Sequence, residues 1–141
     1  MNLIEEHNKK YSFFKDITGV AMQVHREYHP GLLESAYEAA LKYLLTQQQY
    51  EVQKQVLVPI YWKNVLLNEN YRLDLLVNNN IIIELKATKQ IISEHRKQLY
   101  NYMRLTHKPY GMILNFGMPS LYSEWYELNT DTNEIEKVTL M

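Results

Sequence analysis

The chain has 141 residues, 46% hydrophobic and 22% charged, which suits one folded domain over 1–141 with its own core. Its formal net charge of −1 argues against bulk attraction to nucleic acid, and the lack of cysteine excludes disulfides and thiolate metal sites. No apolar run approaches a membrane span, and the opening MNLIEEHNKK has no signal-peptide pattern, so a cytoplasmic protein that does not engage membranes is expected.

The charge is unevenly spread. Six bases lie between Lys86 and Lys108 against one acid, Glu94, whereas five acids and one base follow Met118. A basic middle beside an acidic tail suits either a local anion site or a solvated helix face.

In chain order, Tyr11 to Tyr28 reads as a helix, because Ile17, Val20, Val24 and Tyr28 recur at helical spacing. His29-Pro30-Gly31 breaks it. A second helix is expected over about 32–49, with Leu33, Ala36, Tyr37, Ala40, Leu41 and Leu44 as its inner stripe. Val56, Val58 and Ile60 alternate in a strand at 52–61, and Lys63-Asn64 forms a turn. Strands at 71–77 and 81–86 follow. A third long helix spans about 93–106, with Ser93 as a candidate N-cap, and stops ahead of Lys108-Pro109. An apolar strand at 110–116 and a hairpin of 122–128 with 135–140 complete the chain. The order ααβββαβββ implies an α/β or α+β sandwich on a central mixed sheet.

The pair YRLDLLVNNNIIIELKA carries charges inside apolar runs. Asn78-Asn79-Asn80 makes a three-residue loop, since Asn tolerates left-handed backbone angles. With Val77 opposite Ile81, Asp74 falls opposite Glu84 and Arg72 opposite Lys86. Alternation then puts Arg72, Asp74, Leu76, Ile82, Glu84 and Lys86 on one face, and Tyr71, Leu73, Leu75, Val77, Ile81, Ile83 and Leu85 on the other. Opposed carboxylates destabilise a sheet unless solvated, relieved by diagonal ion pairs, or bridged by a cation. Mg²⁺ typically takes one or two carboxylates plus water and phosphate, and Lys86 projects to the same side.

The set Asp74 … Glu84-Leu85-Lys86 resembles the PD-(D/E)xK nuclease superfamily. Gly31-Leu32-Leu33-Glu34-Ser35-Ala36-Tyr37 resembles the signature of its GxxExxY family. The resemblance covers about Val20 to Gly117. It implies a restriction-endonuclease-like fold and hydrolysis of nucleic-acid phosphodiesters, DNA more than RNA, with Mg²⁺ or Mn²⁺. By motif, Asp74 and Glu84 would hold the metal, Lys86 would be the catalytic lysine, and Glu34 would be a further acid from the helix. Two departures stand out: Tyr28-His29 replaces the usual leucine-glycine before the proline-glycine turn, and the superfamily's proline near Asp74 is missing.

Glu34 shares a stripe with Tyr37 and Leu41, although a first-turn acid also suits the helix dipole. Tyr37 reads as a packing residue whose hydroxyl supports the site. His25 is a minor metal candidate, because a lone helical histidine is ordinarily structural. Gln98 and Tyr102 lie one turn apart and resemble the QxxxY motif of RecB-type exonucleases, where they brace the site and approach the nucleic-acid backbone. Arg96 and Lys97 flank them as candidate phosphate contacts. Two alternatives accompany the nuclease reading: a catalytically silent nucleic-acid- or protein-binding module on the same fold, and a subunit completed by a homodimer or protein partner.

Overall fold

The computed structural model describes residues 1–141. Four helices and six strands occur in the order α1 (Leu3–Lys10), α2 (Ser12–Tyr28), α3 (Glu34–Gln47), β1 (Val52–Trp62), β2 (Val65–Val77), β3 (Ile81–Lys86), α4 (Ser93–Thr106), β4 (Tyr110–Asn115), β5 (Tyr122–Asn129) and β6 (Glu134–Lys137). The strands form one sheet in sequential order. Neighbours are antiparallel except β3 and β4, which run parallel and need the crossover that α4 supplies.

The sheet divides two cores. On one face Phe14, Ile17, Val20 and Val24 of α2 and Tyr37, Leu41 and Leu45 of α3 cover Leu75, Val77, Ile81, Ile83, Leu85, Met112 and Leu114. On the other, Leu99, Tyr102 and Met103 of α4 cover Leu73, Leu76, Ile82 and Ile113. This alternation along β3 and β4 makes both strands apolar throughout, as a strand covered on two sides must be. No helix is long and apolar enough to cross a membrane.

Three details depart from the sequence reading. Helix α1 precedes the expected order, giving αααβββαβββ; it buries no residue, so no stripe announces it. Its ends hold it instead. The Asn2 side chain accepts from Glu5 N at 2.8 Å while Asn2 N donates to Glu5, and Asn8 exchanges hydrogen bonds with Met141. Strand β2 begins at Val65, six residues early, because its exposed first half lacks an inward stripe. Ile92, not Ser93, occupies the N-cap position of α4, where its N–H donates to His95 Nδ1 at 3.2 Å.

The face assignment in β2 also changes. Leu75 joins the α2–α3 core, but Leu73 joins the α4 core together with Leu76. Tyr71 follows Leu73 and meets Tyr102 with ring centroids 5.7 Å apart. The alternation therefore slips at Asp74, opposite the positive φ of 52° at Gln55 in β1. Arg72 falls on the face away from Tyr71 and Leu73, so it does not continue the row of Lys86.

Candidate functional site

The slip at Asp74 creates the site. β2 and β3 pair in the expected register, Val77 with Ile81, Leu76 with Ile82 and Leu75 with Ile83, and the ladder then stops. Side chains take over. Leu85 N donates to Asp74 Oδ2 at 2.9 Å, and Asp74 N donates to Glu84 Oε1 at 3.4 Å. Each acid thus satisfies the backbone of the opposite strand, and the two carboxylates stand side by side.

Glu84 is 3% exposed. Burial pushes its carboxyl well above the usual range, and the charge of Asp74 adds to this; the backbone hydrogen bond from Asp74 and the charge of Lys86 oppose it. Two ionised carboxylates this close, one of them buried, favour capture of a proton or a cation.

Lys86 ends β3 one alternation beyond Glu84. Its Nζ donates to Gln98 Oε1 at 2.9 Å, and Gln98 Nε2 donates to the Tyr102 hydroxyl at 3.2 Å. Leu99 and Met103 pack into the sheet and fix the rotation of α4. Gln98 and Tyr102 thereby line up along one side of it. Burial raises the Tyr102 hydroxyl, with Glu84 contributing next, so the phenol stays a neutral donor. The two motifs that the sequence shows separately are one hydrogen-bonded chain.

Glu34 stands in the first turn of α3, exposed, with no hydrogen bond of its own but within electrostatic reach of the pair. Partial desolvation raises its carboxyl; Lys86 opposes, and Asp74 and Glu38 add. Glu38, one turn on, is a residue that the sequence reading missed. It is buried, accepts from Gln55 Nε2 at 2.8 Å, and is raised first by burial and further by Asp74. Its i, i+4 spacing from Glu34 was the available signal. No three His, Asp or Glu side chains converge closely enough to surround a metal ion by themselves.

Other expected site residues lie elsewhere. His25 Nε2 donates to Met118 O at 2.8 Å, and its ring lies beside Phe116, so the structure does not join it to the acidic pair. Arg96 is committed to Glu124 through two hydrogen bonds of 2.8 and 2.7 Å. Burial pulls Glu124 upward, but hydrogen bonds from Arg96, Tyr122 and Tyr126 outweigh it and bring the carboxyl down to about 2. Lys97 is exposed, beside a shallow cavity of about 260 Å³ shared with Tyr71, Gln98, Asn101 and Tyr102.

Two further residues missed by sequence hold the segment after Lys86. Asn115 is fully buried, accepts from Thr88 N and Gly117 N, and donates to Thr88 O. A Cβ on Gly117 would lie 2.3 Å from Thr88 N, so only glycine permits the two turns to touch.

Residues 11–128 match the family model of the PD-(D/E)XK nuclease superfamily. The chain belongs to this superfamily. A six-stranded mixed sheet with helices on both faces gives this PD-(D/E)XK protein the expected restriction-endonuclease-like fold. Among solved structures it is similar to the crystal structure of SSO0001, with 20% identity and a TM-score of 0.49. The likeness covers 91% of this chain and 65% of that one, so the chain spans just under two thirds of that protein's length. No curated protein matches it.

A divalent cation fits the donor set of the candidate site. Asp74 and Glu84 supply adjacent hard oxygen donors, and Glu84 is held in a place that disfavours its isolated charge. Two protein carboxylates with the remaining positions left to water and phosphate is the ordinary arrangement for Mg²⁺.

Proposed function

We propose that this chain is a Mg²⁺- or Mn²⁺-dependent phosphodiesterase that cleaves nucleic acid, DNA more than RNA. Residues 1–141 act as one catalytic unit, in the cytoplasm. The observation that carries the reading is the acidic pair, each carboxylate accepting from the opposite strand, with Lys86 two residues beyond Glu84 and hydrogen-bonded to Gln98, which in turn donates to Tyr102.

In this reading Asp74 and Glu84 hold the cation, with Glu34 contributing through water. When bound, the cation polarises the phosphate oxygens and lowers the pKa of an attacking water. Lys86 orients that water and screens negative charge developing on the phosphate. Gln98 fixes the Lys86 ammonium, leaving two of its three N–H groups to donate elsewhere. The neutral Tyr102 hydroxyl braces Gln98 and faces the backbone path. Lys97 adds a phosphate contact on the same side of α4. Arg96 acts through Glu124 instead, as a structural tie.

Membership of the GxxExxY family is part of the proposal, and the turn supports it. Gly31 has φ 120°, the Tyr37 hydroxyl donates to His29 O at 2.5 Å and accepts from Leu32 N at 3.1 Å, and its ring stacks on Phe116. Gly31 and Tyr37 thus shape the turn that delivers Glu34 to the head of α3.

The test is cleavage of single- and double-stranded DNA and of RNA with Mg²⁺ or Mn²⁺. Lys86→Ala is expected to lower the rate by about 10²- to 10³-fold while the far-ultraviolet circular dichroism stays native. Equal rates for the two proteins refute the catalytic assignment. The rival reading, a silent binding module, draws on the absence of a preformed three-donor cluster. It predicts nucleic-acid binding that is indifferent to metal and to Lys86.

A further inference from the structure

The outer parts of β1 and β2 run on past the sheet. Pairing with β3 ends at Leu75, so within the sheet the stretch of β2 from Val65 to Leu73 has only β1 beside it; α4 covers Leu73 and meets Tyr71, and the tip from Val65 to Asn70 is exposed throughout. A two-stranded ribbon without further cover is marginal in water. This one is also apolar on the outside. Leu57, Tyr61, Trp62, Val65, Leu66 and Tyr71 are each between 47 and 67% exposed. Trp62 pairs with Val65, and Tyr61 with Leu66, in successive cross-strand pairs, so both faces of the arm carry apolar side chains.

Monomeric proteins rarely expose a patch of this kind. The charge pattern selects its occupant. From Leu57 to Arg72 the arm has only Lys63, Glu69 and Arg72 as charged residues, too few to attract a phosphate backbone. A protein surface is the matching partner. Over both faces of the arm the exposed surface of those six residues comes to on the order of 800 Å², what one partner contributes to a standard interface when the two copies clasp each other's arm. A groove of about 390 Å³ runs between β1 and the end of α4, lined by Val56, Leu57, Tyr61, Leu73 and Leu105 among others. Pro59 removes an N–H from the free edge of β1, which disfavours strand addition there and leaves side-chain packing as the mode of contact.

We infer that the β1–β2 arm is a homodimer interface, in which Trp62 of each copy seats in the groove beside Leu105 of the other. A two-fold axis makes the exchange reciprocal, and a tryptophan in an apolar groove is a typical energetic anchor. The dimer requires neither metal nor substrate, so it stands or falls apart from the nuclease reading.

Light scattering on a sizing column, in chelator and without nucleic acid, tests it. The expected mass is twice the 16.9 kDa of one chain, falling to 16.9 kDa in Trp62→Asp combined with Leu66→Asp. Leu3→Asp, an exposed change on α1, should leave the dimer intact. A nitroxide on Lys63→Cys, the single thiol in the chain, covers the case in which the double variant does not fold: intermolecular dipolar coupling is expected. A monomeric wild type at about 100 µM, well above the Kd of a weak dimer, overturns the inference. So does a dimer that survives the double substitution, a label without coupling, or a monomer whose arm binds single-stranded oligonucleotide or anionic vesicles.

Discussion

Glu84 occupies a position where a carboxylate ionises with difficulty, and this gives the apo protein a pH signature. Its folded pKa is raised, so the folded state retains a proton that the unfolded chain has released. The stability it contributes is complete below the unfolded pKa of Glu and is lost as pH rises through the higher folded value. Glu84→Gln removes that loss. Chemical denaturation without metal should find the variant little changed near about pH 4 and clearly more stable than wild type near about pH 8. An acid that costs stability yet sits beside a second acid is what a cation site requires. His29 is strained for a different reason. Its φ of 56° and ψ of 174° lie in a region that only glycine occupies freely, although its N–H still donates to His25 O at 2.8 Å. The resemblance puts glycine at this position. His29→Gly should raise the unfolding free energy by about 1 kcal/mol, the relieved strain less the added freedom of the unfolded chain. A decrease would show that the His29 side chain itself holds the turn.

At the scale of elements, α4 is positioned from two sides. Leu99 and Met103 press it onto the sheet, and Arg96 ties it to β5 through Glu124, which also accepts from Tyr122 and Tyr126. The tie sets the height at which Gln98 meets Lys86. Arg96→Met leaves Glu124 buried without its cation and should cost about 3 kcal/mol, whereas the pair Arg96→Met with Glu124→Gln, which removes the charge but keeps an acceptor for Tyr122 and Tyr126, should recover most of it. Denaturant titration of the four proteins gives the cycle. If the double variant is no better than the single one, the cost lies in packing rather than in the stranded charge. Much of this scale was legible in the sequence. Helix α4 and strands β3 and β4 show clear periodicity, and the Asn78-Asn79-Asn80 loop fixed the register that brings Asp74 to Glu84. The rest follows rules that periodicity does not carry. Helix α1 is held by caps and by the C-terminal residues, not by an apolar stripe. The slip at Asp74 depends on an unusual backbone angle in a different strand, at Gln55. Arg96 reads as a phosphate ligand until its partner, 28 residues away, folds against it.

Over the whole molecule, the site lies where the two layers of helices approach the same point of the sheet. Helix α3 brings Glu34 and Glu38, α4 brings Gln98 and Tyr102, and the interrupted β2–β3 ladder supplies Asp74, Glu84 and Lys86. Sequence motifs identified most of this set because each lies at a short, fixed spacing. Glu38, Asn115 and Gly117 escaped notice because their partners are distant in sequence. Superfamily membership fixes the fold, and the proposed chemistry turns on the acidic pair. Calorimetric titration of Mn²⁺ into wild type and Glu84→Gln, near neutral pH in two buffers of different ionisation enthalpy, addresses that pair directly. The account predicts binding to wild type and none to the variant; burial favours the proton on Glu84, so any proton that the cation displaces appears as a buffer-dependent heat. Absence of binding to wild type, or equal binding by both proteins, would contradict it.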